Sequence, residues 1–340
     1  MLIRMLPLLG KTLAELQEVA LSVGLQKFAG KQLAEWLYVR RVTSFDEMTN
    51  ISLKGREALK ANYTIGRHAP VKEAVSIDGT RKYLFQTGEQ FVETVYIPEE
   101  DRTTLCVSTQ AGCKMGCKFC MTGTLGFHGN LSAADILNQI FYFDDLSNLV
   151  FMGEGEPMDN LDNVLRALEI MTAPYGPAWS PKRITVSTVG IPAMKRFLDE
   201  SECHVAVSMH NPFAVERVQI MPAEKLFSIT EVVNLLKQYD FSHQRRVSFE
   251  YICWAGQNDT MRHAKELLRL LKGLNCRINL IRFHAGVEDI KNERRFPASD
   301  EKQMEFLRDY LTEHGITTTI RRSRGEDILA ACGMLVNSLQ

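Results

Sequence analysis

Three cysteines fall within eight residues of each other in the stretch AGCKMGCKFCMTG, residues 111–123. Cys113, Cys117 and Cys120 have the spacing C-x3-C-x2-C, and thiolates at such short intervals are typical ligands of zinc and of iron–sulfur clusters. A structural zinc site takes four ligands, usually as two separated pairs, and only His128 is available nearby as a fourth. A 4Fe–4S cluster normally takes four thiolates, so three would leave one iron open to the amino and carboxylate groups of an amino acid.

Polar residues that could bind such a ligand stand at the ends of later predicted strands. In FMGEGEP (151–157), Gly153 and Gly155 allow close backbone approach, and Glu156 could hold an ammonium group. Ser187 ends one strand, in STVG, and Ser208 ends the next, in SMHNP. Their hydroxyls could bind a ribose or a carboxylate, although a role as simple strand-end caps remains open.

The elements that position these residues alternate along the chain from Thr103 onward. Buried strands are predicted at TTLCVST, NLVFMG, RITVSTV, HVAVSMH, RRVSFEYICW and RINLIRFH, each followed by a helical pattern except the last. This rhythm predicts an α/β fold, in which a parallel sheet forms a partial (β/α)6 barrel rather than an eight-fold one. A seventh segment, TTTIRRS, and a closing helix, EDILAACGML, complete the prediction. Cys113 follows the first strand, and sites in such folds lie at the carboxyl ends of strands.

Four regions are predicted in all. Residues 1–72 form a basic helical accessory domain with eleven Lys and Arg against six Asp and Glu, although the whole chain has a net charge of −1. Residues 73–98 form a small antiparallel β extension, 99–325 the barrel, and 326–340 a C-terminal segment. A basic head permits a polyanionic substrate without requiring one. Three arginine pairs are candidates for phosphate contacts or solvated faces: Arg40–Arg41, Arg245–Arg246 and Arg321–Arg322.

The composition indicates a cytoplasmic protein. It is 45% hydrophobic and 24% charged, and it has no apolar run of the length that spans a bilayer. The start, MLIRMLPLLGKTLAEL, lacks the long apolar region and cleavage site of a signal peptide. Eight cysteines in such a compartment should be mostly reduced. Cys203, Cys253 and Cys276 are interpreted as inert core thiols.

Several motifs together resemble one enzyme family. The runs TLCVSTQAGCKMGCKFCMTGTLGF, KRITVSTVGIP, VSMHNP, INLIRFH and RGEDILAACGML are similar to those of the radical S-adenosylmethionine (SAM) adenine carbon-2 RNA methyltransferases. FAGKQLAEWLY and DGTRKYLF extend the resemblance to the head and the β extension. The resemblance implies a radical SAM barrel, one 4Fe–4S cluster on Cys113, Cys117 and Cys120, and two SAM molecules per turnover. The implied SAM contacts are Gly155, Glu156, Ser187, Ser208, Met209, His210 and His284.

The resemblance also implies a reaction path. Carbon 2 of adenine is electron-poor and does not attack a sulfonium methyl group, so the carbon unit is delivered as a radical. Cys332 first accepts a methyl group from one SAM, and a radical from the second SAM then removes a hydrogen from it. After addition to the base, Cys106 attacks the Cys332 sulfur, forms a disulfide and releases the product. Glu93 is the implied acceptor of the carbon-2 proton.

The implied substrates are an adenosine in 23S rRNA and the adenosine beside the tRNA anticodon. A reductase or a flavodoxin-type protein is the implied electron donor, and the chain is expected to be a monomer. Three positions depart from the family pattern: Glu154 replaces a Met, His284 an Asn and Gly129 an Arg. Glu154 is expected to place a carboxylate beside the SAM pocket. A carbon-8 methyltransferase and a non-catalytic iron–sulfur RNA-binding protein remain as alternatives.

Overall fold

One large sheet organises the chain. The computed structural model describes residues 5–243, 245–284 and 296–335. Its strands are β1 (Leu6–Pro7), β2 (Tyr63–Thr64), β3 (Lys72–Val75), β4 (Arg81–Thr87), β5 (Gln90–Pro98), β6 (Thr103–Cys106), β7 (Gln110–Gly112), β8 (Phe127–Asn130), β9 (Asn148–Phe151), β10 (Ile184–Thr188), β11 (His204–Ser208), β12 (Val247–Cys253), β13 (Cys276–Arg282) and β14 (Thr317–Ile320). Among these described strands, ten form one sheet in the order β14-β13-β12-β11-β10-β9-β6-β5-β4-β3.

The strands β6 and β9 to β14 run parallel to one another. They include the six predicted strands, and β14 is the predicted seventh segment. Their central residues are fully buried, as Val186, Val205 and Phe249 show. This is expected of a parallel sheet that is covered on both faces. The strand order does not return on itself, so the described sheet is an open barrel.

Helices connect and cover the parallel strands. Ser132 begins one of them with a capping box, in which its hydroxyl accepts from Asp135 N and its own N–H donates to the Asp135 carboxylate. The described helices are Leu13–Ser22, Ala29–Ala34, Leu53–Asn62, Met121–Thr124, Ala133–Phe141, Leu161–Thr172, Met194–Glu200, Ala214–Ile220, Ile229–Leu236, Met261–Leu271 and Glu301–Glu313. A π-helical turn at Glu35–Val39 and 3₁₀ turns at Phe45–Glu47, Pro157–Asn160, Pro181–Arg183, Pro222–Lys225 and Glu326–Ile328 complete the set.

The antiparallel strands β3 to β5 lie in the region predicted as a β extension. Strand β5 pairs with β6, with Val95 opposite Cys106, so these strands continue the barrel sheet rather than forming a separate one. The head packs against the same body. Arg166 donates to Glu15 at 2.6 Å, and Arg67 donates to the Phe141 carbonyl at 2.8 Å. Core residues of the head and the barrel belong to one continuous hydrophobic cluster.

The predicted closing helix EDILAACGML is wrong. Only Glu326–Ile328 forms a single 3₁₀ turn, and Leu329 follows in the left-handed region at φ 53°. Apart from turn bonds such as that from Ala330 N to the Gly325 carbonyl at 2.8 Å, this segment also bonds to other elements. The Gly333 carbonyl accepts from Met121 N at 2.8 Å, and the Leu329 carbonyl accepts from Lys82 Nζ at 3.2 Å. The bond from Lys82 competes with the helix because the Leu329 carbonyl would otherwise accept from Gly333 N within it.

Within the described residues, no helix has both the length and the apolar character needed to cross a bilayer.

Candidate functional site

The cysteine loop is closed by its own hydrogen bonds. Cys113 follows β7, which pairs with β8, and Cys113 N donates to the Gly126 carbonyl at 2.8 Å. Gly112 has φ +70°, and a Cβ there would overlap that same carbonyl oxygen, so only glycine fits. Further along, Cys120 N donates to the Cys117 carbonyl at 3.1 Å. The three thiols are therefore fixed near one another before any metal binds.

The three cysteines line a cavity at the carboxyl ends of the parallel strands, which we call the first cavity. Most of the predicted SAM-binding residues line it as well. Its lining includes Cys113, Cys117, Cys120, Gly155, Glu156, Ser187, Ser208, His210 and Cys332. These nine residues come from five separate parts of the sequence.

The spacing of the three thiols is interpreted as that of a cluster site. Among the described residues, no group of three or more His, Cys, Asp or Glu side chains could hold a single metal ion. In an iron–sulfur cluster each thiolate binds a different iron, so its ligands do not have to converge on one point. Burial raises the pKa of Cys113 to about 12 and that of Cys117 well above its ordinary value. Loading of metal must therefore displace protons from these thiols.

Glu156 joins two strand ends. Its carboxylate accepts from Val189 N at 2.8 Å and from Met158 N at 3.0 Å. Burial raises its pKa to about 7, although these hydrogen bonds act in the opposite direction. Gly155 beside it has φ +99°, and a Cβ there would overlap Gln110. Glu156 therefore holds the loop in place and also faces the first cavity.

His210 is neutral and has a defined tautomer. Its Nδ1 accepts from Ile252 N at 3.0 Å, so the ring proton is on Nε2 and is available as a donor. Burial lowers its pKa to about 3. The neighbouring Met209 is fully buried and does not line either cavity formed by the described residues. Of the predicted pair at this strand end, only His210 presents its side chain to the first cavity.

Cys106 and Cys332 meet in an adjoining second cavity. Both line it, and Cys332 also lines the first cavity, so this residue stands between the two. Both thiols are free. Burial raises the pKa of Cys106, and charge on Cys332 adds to the effect. His284 belongs to the second cavity, where its Nε2 lies 2.6 Å from Ser323 Oγ and 3.3 Å from Glu326 Oε1.

Glu93 is fully buried, on β5, and pairs with a buried lysine. Lys82 Nζ lies 3.0 Å from Glu93 Oε1, and both side chains have no exposed surface. Glu93 does not line either cavity of the described residues. Lys82 Nζ also donates to the Leu329 carbonyl, in the segment that carries Cys332. The structure thus places Glu93 behind the C-terminal segment, not in the cavity wall.

The side chain of Glu154 turns away from the first cavity, contrary to the expectation from sequence. Its Oε1 accepts from Glu93 N at 2.8 Å and its Oε2 accepts from Gly112 N at 3.3 Å. Burial raises its pKa to about 8. Glu154 therefore connects strand β5 to the residue that precedes Cys113. The other departures are less central: Gly129 is in β8, at the rim of the cysteine hairpin.

Two buried residues of the site were missed in the sequence. Glu250 lines both cavities and accepts from Asn279 Nδ2 at 2.7 Å. A single Glu in the apolar strand VSFEYIC was the available signal. Arg217 is fully buried, and its Nη2 donates to the carbonyls of Val189 at 2.7 Å and Ser208 at 2.8 Å. Its guanidinium thereby connects the ends of β10 and β11. Nothing in the local sequence indicated this role.

Comparison with known proteins identifies the family. Residues 6–65 match the profile described as "Ribosomal RNA large subunit methyltransferase N-terminal domain", and residues 107–271 match the radical SAM superfamily. A protein of Bacteroides thetaiotaomicron named "Probable dual-specificity RNA methyltransferase RlmN" is 58% identical over 98% of this chain and 97% of its own length. This chain belongs to the RlmN family. A member from Christiangramia forsetii is 40% identical over 96% of this chain and 95% of its own length.

A solved structure agrees with the fold of this RlmN family member. The crystal structure of a radical SAM methyltransferase from Sphaerobacter thermophilus superposes with a TM-score of 0.90 at 35% identity, covering 97% of this chain and 99% of the other. The family resemblance read from the motifs is thereby confirmed. So is the predicted fold class, a partial (β/α)6 radical SAM barrel with an N-terminal accessory domain.

Proposed function

We propose that this chain is a radical SAM methyltransferase that adds a methyl group to carbon 2 of an adenosine in 23S rRNA and of the adenosine beside the tRNA anticodon. The observation that carries the proposal is the position of Cys332. It lines both the first cavity, with the three clustered cysteines, and the second cavity, with Cys106. A residue that receives a methyl group in the first cavity and delivers it to a base in the second cavity needs to border both. The names of the relatives support RNA as the substrate.

The residues of the first cavity fit the cofactors of this chemistry. Cys113, Cys117 and Cys120 would hold one 4Fe–4S cluster, and when bound it supplies the electron that cleaves SAM to a 5′-deoxyadenosyl radical. Glu156 and the Nε2–H of His210 would contact SAM, together with Gly155, Ser187 and Ser208. Two SAM molecules are used per turnover, one as methyl donor and one as radical source. His284, in the second cavity, would act nearer the RNA base.

Cys332 carries the methyl carbon, and Cys106 releases it by attacking the Cys332 sulfur. The Cys332 thiolate displaces the methyl group from SAM and keeps it as a thioether. After the carbon has bonded to the base, the Cys106 thiolate attacks the Cys332 sulfur. The sulfur–sulfur bond forms and the carbon–sulfur bond breaks. Its electron pair stays on the methylene carbon attached to the base, and that carbon takes up a proton to become the methyl group. A reductase then has to restore both thiols.

Glu93 remains our proposed acceptor of the carbon-2 proton. Its carboxylate is paired with Lys82 and lies behind the segment that carries Cys332. A general base must come within hydrogen-bond distance of the proton that it accepts. An adenine in the second cavity can therefore reach the Glu93 carboxylate only if the segment that carries Cys332 shifts. We also propose a cytoplasmic location and a flavodoxin-type or reductase electron donor, both on the strength of the family.

Nucleoside mass spectrometry tests the proposal. We expect 2-methyladenosine in rRNA and tRNA from cells that have this gene, and its loss from cells that lack it. Appearance of 8-methyladenosine instead would select the carbon-8 alternative. Absence of 5′-deoxyadenosine after anaerobic reduction of the purified protein with SAM would select the non-catalytic one.

Cysteine variants separate the two steps. Cys332→Ala should still cleave SAM reductively but leave RNA unmodified, because the methyl acceptor is gone. Cys106→Ala should accumulate RNA bonded to Cys332, because no thiolate is present to release it. Intact-protein mass spectrometry and gel shift under denaturing conditions measure these products. Cys276→Ala, outside both cavities, is the matched control. Full methylation by Cys332→Ala would refute the methyl-cysteine intermediate.

A further inference from the structure

Arginines ring the second cavity. Five of them contribute to its lining, against the two carboxylates Glu99 and Glu250. These arginines are Arg102, Arg282, Arg321, Arg322 and Arg324. A concave wall with this excess of positive charge attracts an anion, and low-dielectric walls strengthen the field inside it.

Three of the five arginines already have carboxylate partners. Arg102 pairs with Glu99, Arg282 pairs with Glu301, and Arg324 lies 3.7 Å from Asp78. Arg321 and Arg322 differ. Both are exposed, and among the described residues neither guanidinium has an ion pair or a hydrogen bond. Two cations in the cavity rim are therefore available to an external ligand.

The backbone holds this pair at a fixed place. Arg321 follows β14 directly, and its N–H donates to the Leu280 carbonyl at 2.7 Å, which continues the pairing of β14 with β13. The charge of Arg321 acts on Cys332, where it lowers the thiol pKa against the larger, opposite effect of burial. The pair thus stands beside the cysteine that would deliver the methyl group.

Of the other two arginine pairs noted in the sequence, Arg40–Arg41 and Arg245–Arg246, three members have side-chain partners elsewhere. Arg40 pairs with Glu35 at 2.9 Å, and Arg41 donates to the Phe143 carbonyl at 2.7 Å. Arg245 is buried and donates to the Leu198 carbonyl at 2.7 Å. Neither of these pairs lines the second cavity.

We propose that Arg321 and Arg322 bind the RNA phosphates on either side of the adenosine that enters the second cavity. This inference rests on the proposed function and assigns its substrate-positioning residues. An adenosine must leave its base stack to reach Cys332, which costs a few kcal/mol. Guanidinium groups bind phosphate oxygens through paired N–H donors and fix the register of the backbone without reading its sequence. Contacts at the cavity rim offset the unstacking cost where it arises.

RNA binding by the full-length, cluster-reconstituted protein tests the proposal. The probe is a fluorescein-labelled RNA stem–loop with an unpaired loop adenosine, titrated at several salt concentrations. Arg321→Gln and Arg322→Gln should each weaken binding about fivefold and reduce the slope of log affinity against log salt by about one. Arg321→Lys and Arg322→Lys keep the charge and should regain the slope. Arg269→Gln, on the helix Met261–Leu271, is the control and should match the unsubstituted protein.

The outcomes are distinct from those of the proposed function. Binding is measured without turnover, so it remains readable even if no methylated nucleoside forms. An unchanged salt slope in both Gln variants would overturn the proposal. So would a selective slowing of cluster reduction by a flavodoxin while RNA affinity stays the same, because the pair would then serve an acidic protein partner. Loss of binding in the Lys variants to the extent seen in the Gln variants would point to structural damage and would also overturn it.

Discussion

The buried pair Lys82–Glu93 shows how much one residue's surroundings decide its role. Sequence reasoning alone makes Glu93 an ordinary surface strand residue. Residues 88 and 89 form the turn between β4 and β5, so Leu84 faces Glu93 and Lys82 faces Val95. Lys82 and Glu93 are then diagonal neighbours on one face of the hairpin. The two-residue turn is enough to predict that Lys82 and Glu93 are neighbours. The burial of the pair, however, depends on the distant C-terminal segment.

Removal of one member of this pair should be costly. Lys82→Met or Glu93→Gln leaves the other group buried without its opposite charge, and we expect each to lose about 3–5 kcal/mol of unfolding free energy. The double variant Lys82→Met/Glu93→Gln should lose clearly less than the sum of the two. Urea denaturation measures these values. Lys60→Met, which breaks an exposed ion pair with Asp46, is the control and should change little. Additive losses in the double variant would contradict the coupling.

Glu154 makes a second residue-scale prediction. Its two oxygens each accept a backbone N–H, from Glu93 and from Gly112. Glu154→Gln replaces one acceptor with an NH₂ group that faces a donor, so one buried N–H loses its partner. We expect a loss of about 1–3 kcal/mol in unfolding free energy. Glu266→Gln, at a partly exposed ion pair with Arg269, should have a smaller effect. Equal stability of Glu154→Gln and the unsubstituted protein would show that these bonds contribute nothing.

At the scale of elements, the turn between β3 and β4 holds the segment that carries Cys332. Asp78 Oδ2 accepts from Gly325 N at 3.1 Å, Asp78 Oδ1 accepts from Thr80 N at 2.9 Å, and Ser76 Oγ donates to Asp327 at 2.5 Å. Sequence periodicity predicted a helix here because it sees only local spacing. The actual partners lie in a hairpin far away in the sequence, and no local pattern encodes them.

The hold of Asp78 on this segment should depend on pH. Burial acts to raise the pKa of Asp78, but hydrogen bonds from Thr80 and Gly325 outweigh it and lower the value to about 2. A folded-state pKa below the ordinary 3.8 means that the stabilisation is complete above pH 4 and is lost as pH falls towards 2. Asp78→Asn should mimic the protonated state at neutral pH. Hydrogen exchange of residues 325–335 should then accelerate about tenfold, since a charged hydrogen bond contributes about 1.5–3 kcal/mol.

Asp162→Asn, exposed on the helix Leu161–Thr172, is the matched control. Unchanged exchange in Asp78→Asn would show that the segment is held by other contacts. Some helices were also missed at this scale, including Glu301–Glu313 and Ala214–Ile220. Glu301–Glu313 buries Met304, Leu307 and Leu311 at helical spacing, and this signal was present in the sequence. The short helix Ala214–Ile220 buries only Arg217, so it has no apolar stripe to recognise.

At the scale of the whole molecule, the charge is unevenly placed. The chain has a net charge of −1, but its first 72 residues carry an excess of basic groups. If this head contacts RNA, affinity should fall steeply as salt rises. Lys27→Gln and Lys31→Gln, both exposed in the head, should each reduce the log–log slope by about one. Lys302→Gln, on the helix Glu301–Glu313 and thus outside the head, serves as the control. A flat salt response would exclude the head from RNA binding.

The overall architecture was largely predictable, since the apolar strands and the order of β and α elements follow from local composition. The cysteine loop could be recognised in the sequence because its spacing is local too. The clamp formed by Arg217 and the bonds of Glu154 were not, because their partners come together only when the strand ends are assembled.

The hydrogen bond between Asp78 and Gly325 has a consequence for synthesis of the chain on the ribosome. These two residues are 247 positions apart, so the anchor is made early and its counterpart is among the last parts to be translated. A nascent chain that stalls shortly before residue 325 already contains the loop with the three cysteines and the ends of the parallel strands. Such a fragment, once supplied with iron and sulfide, would lack Cys332, the thiol on which we propose that the methyl group is stored. Every cosubstrate molecule it consumed would be wasted, and the resulting radical would have no intended target.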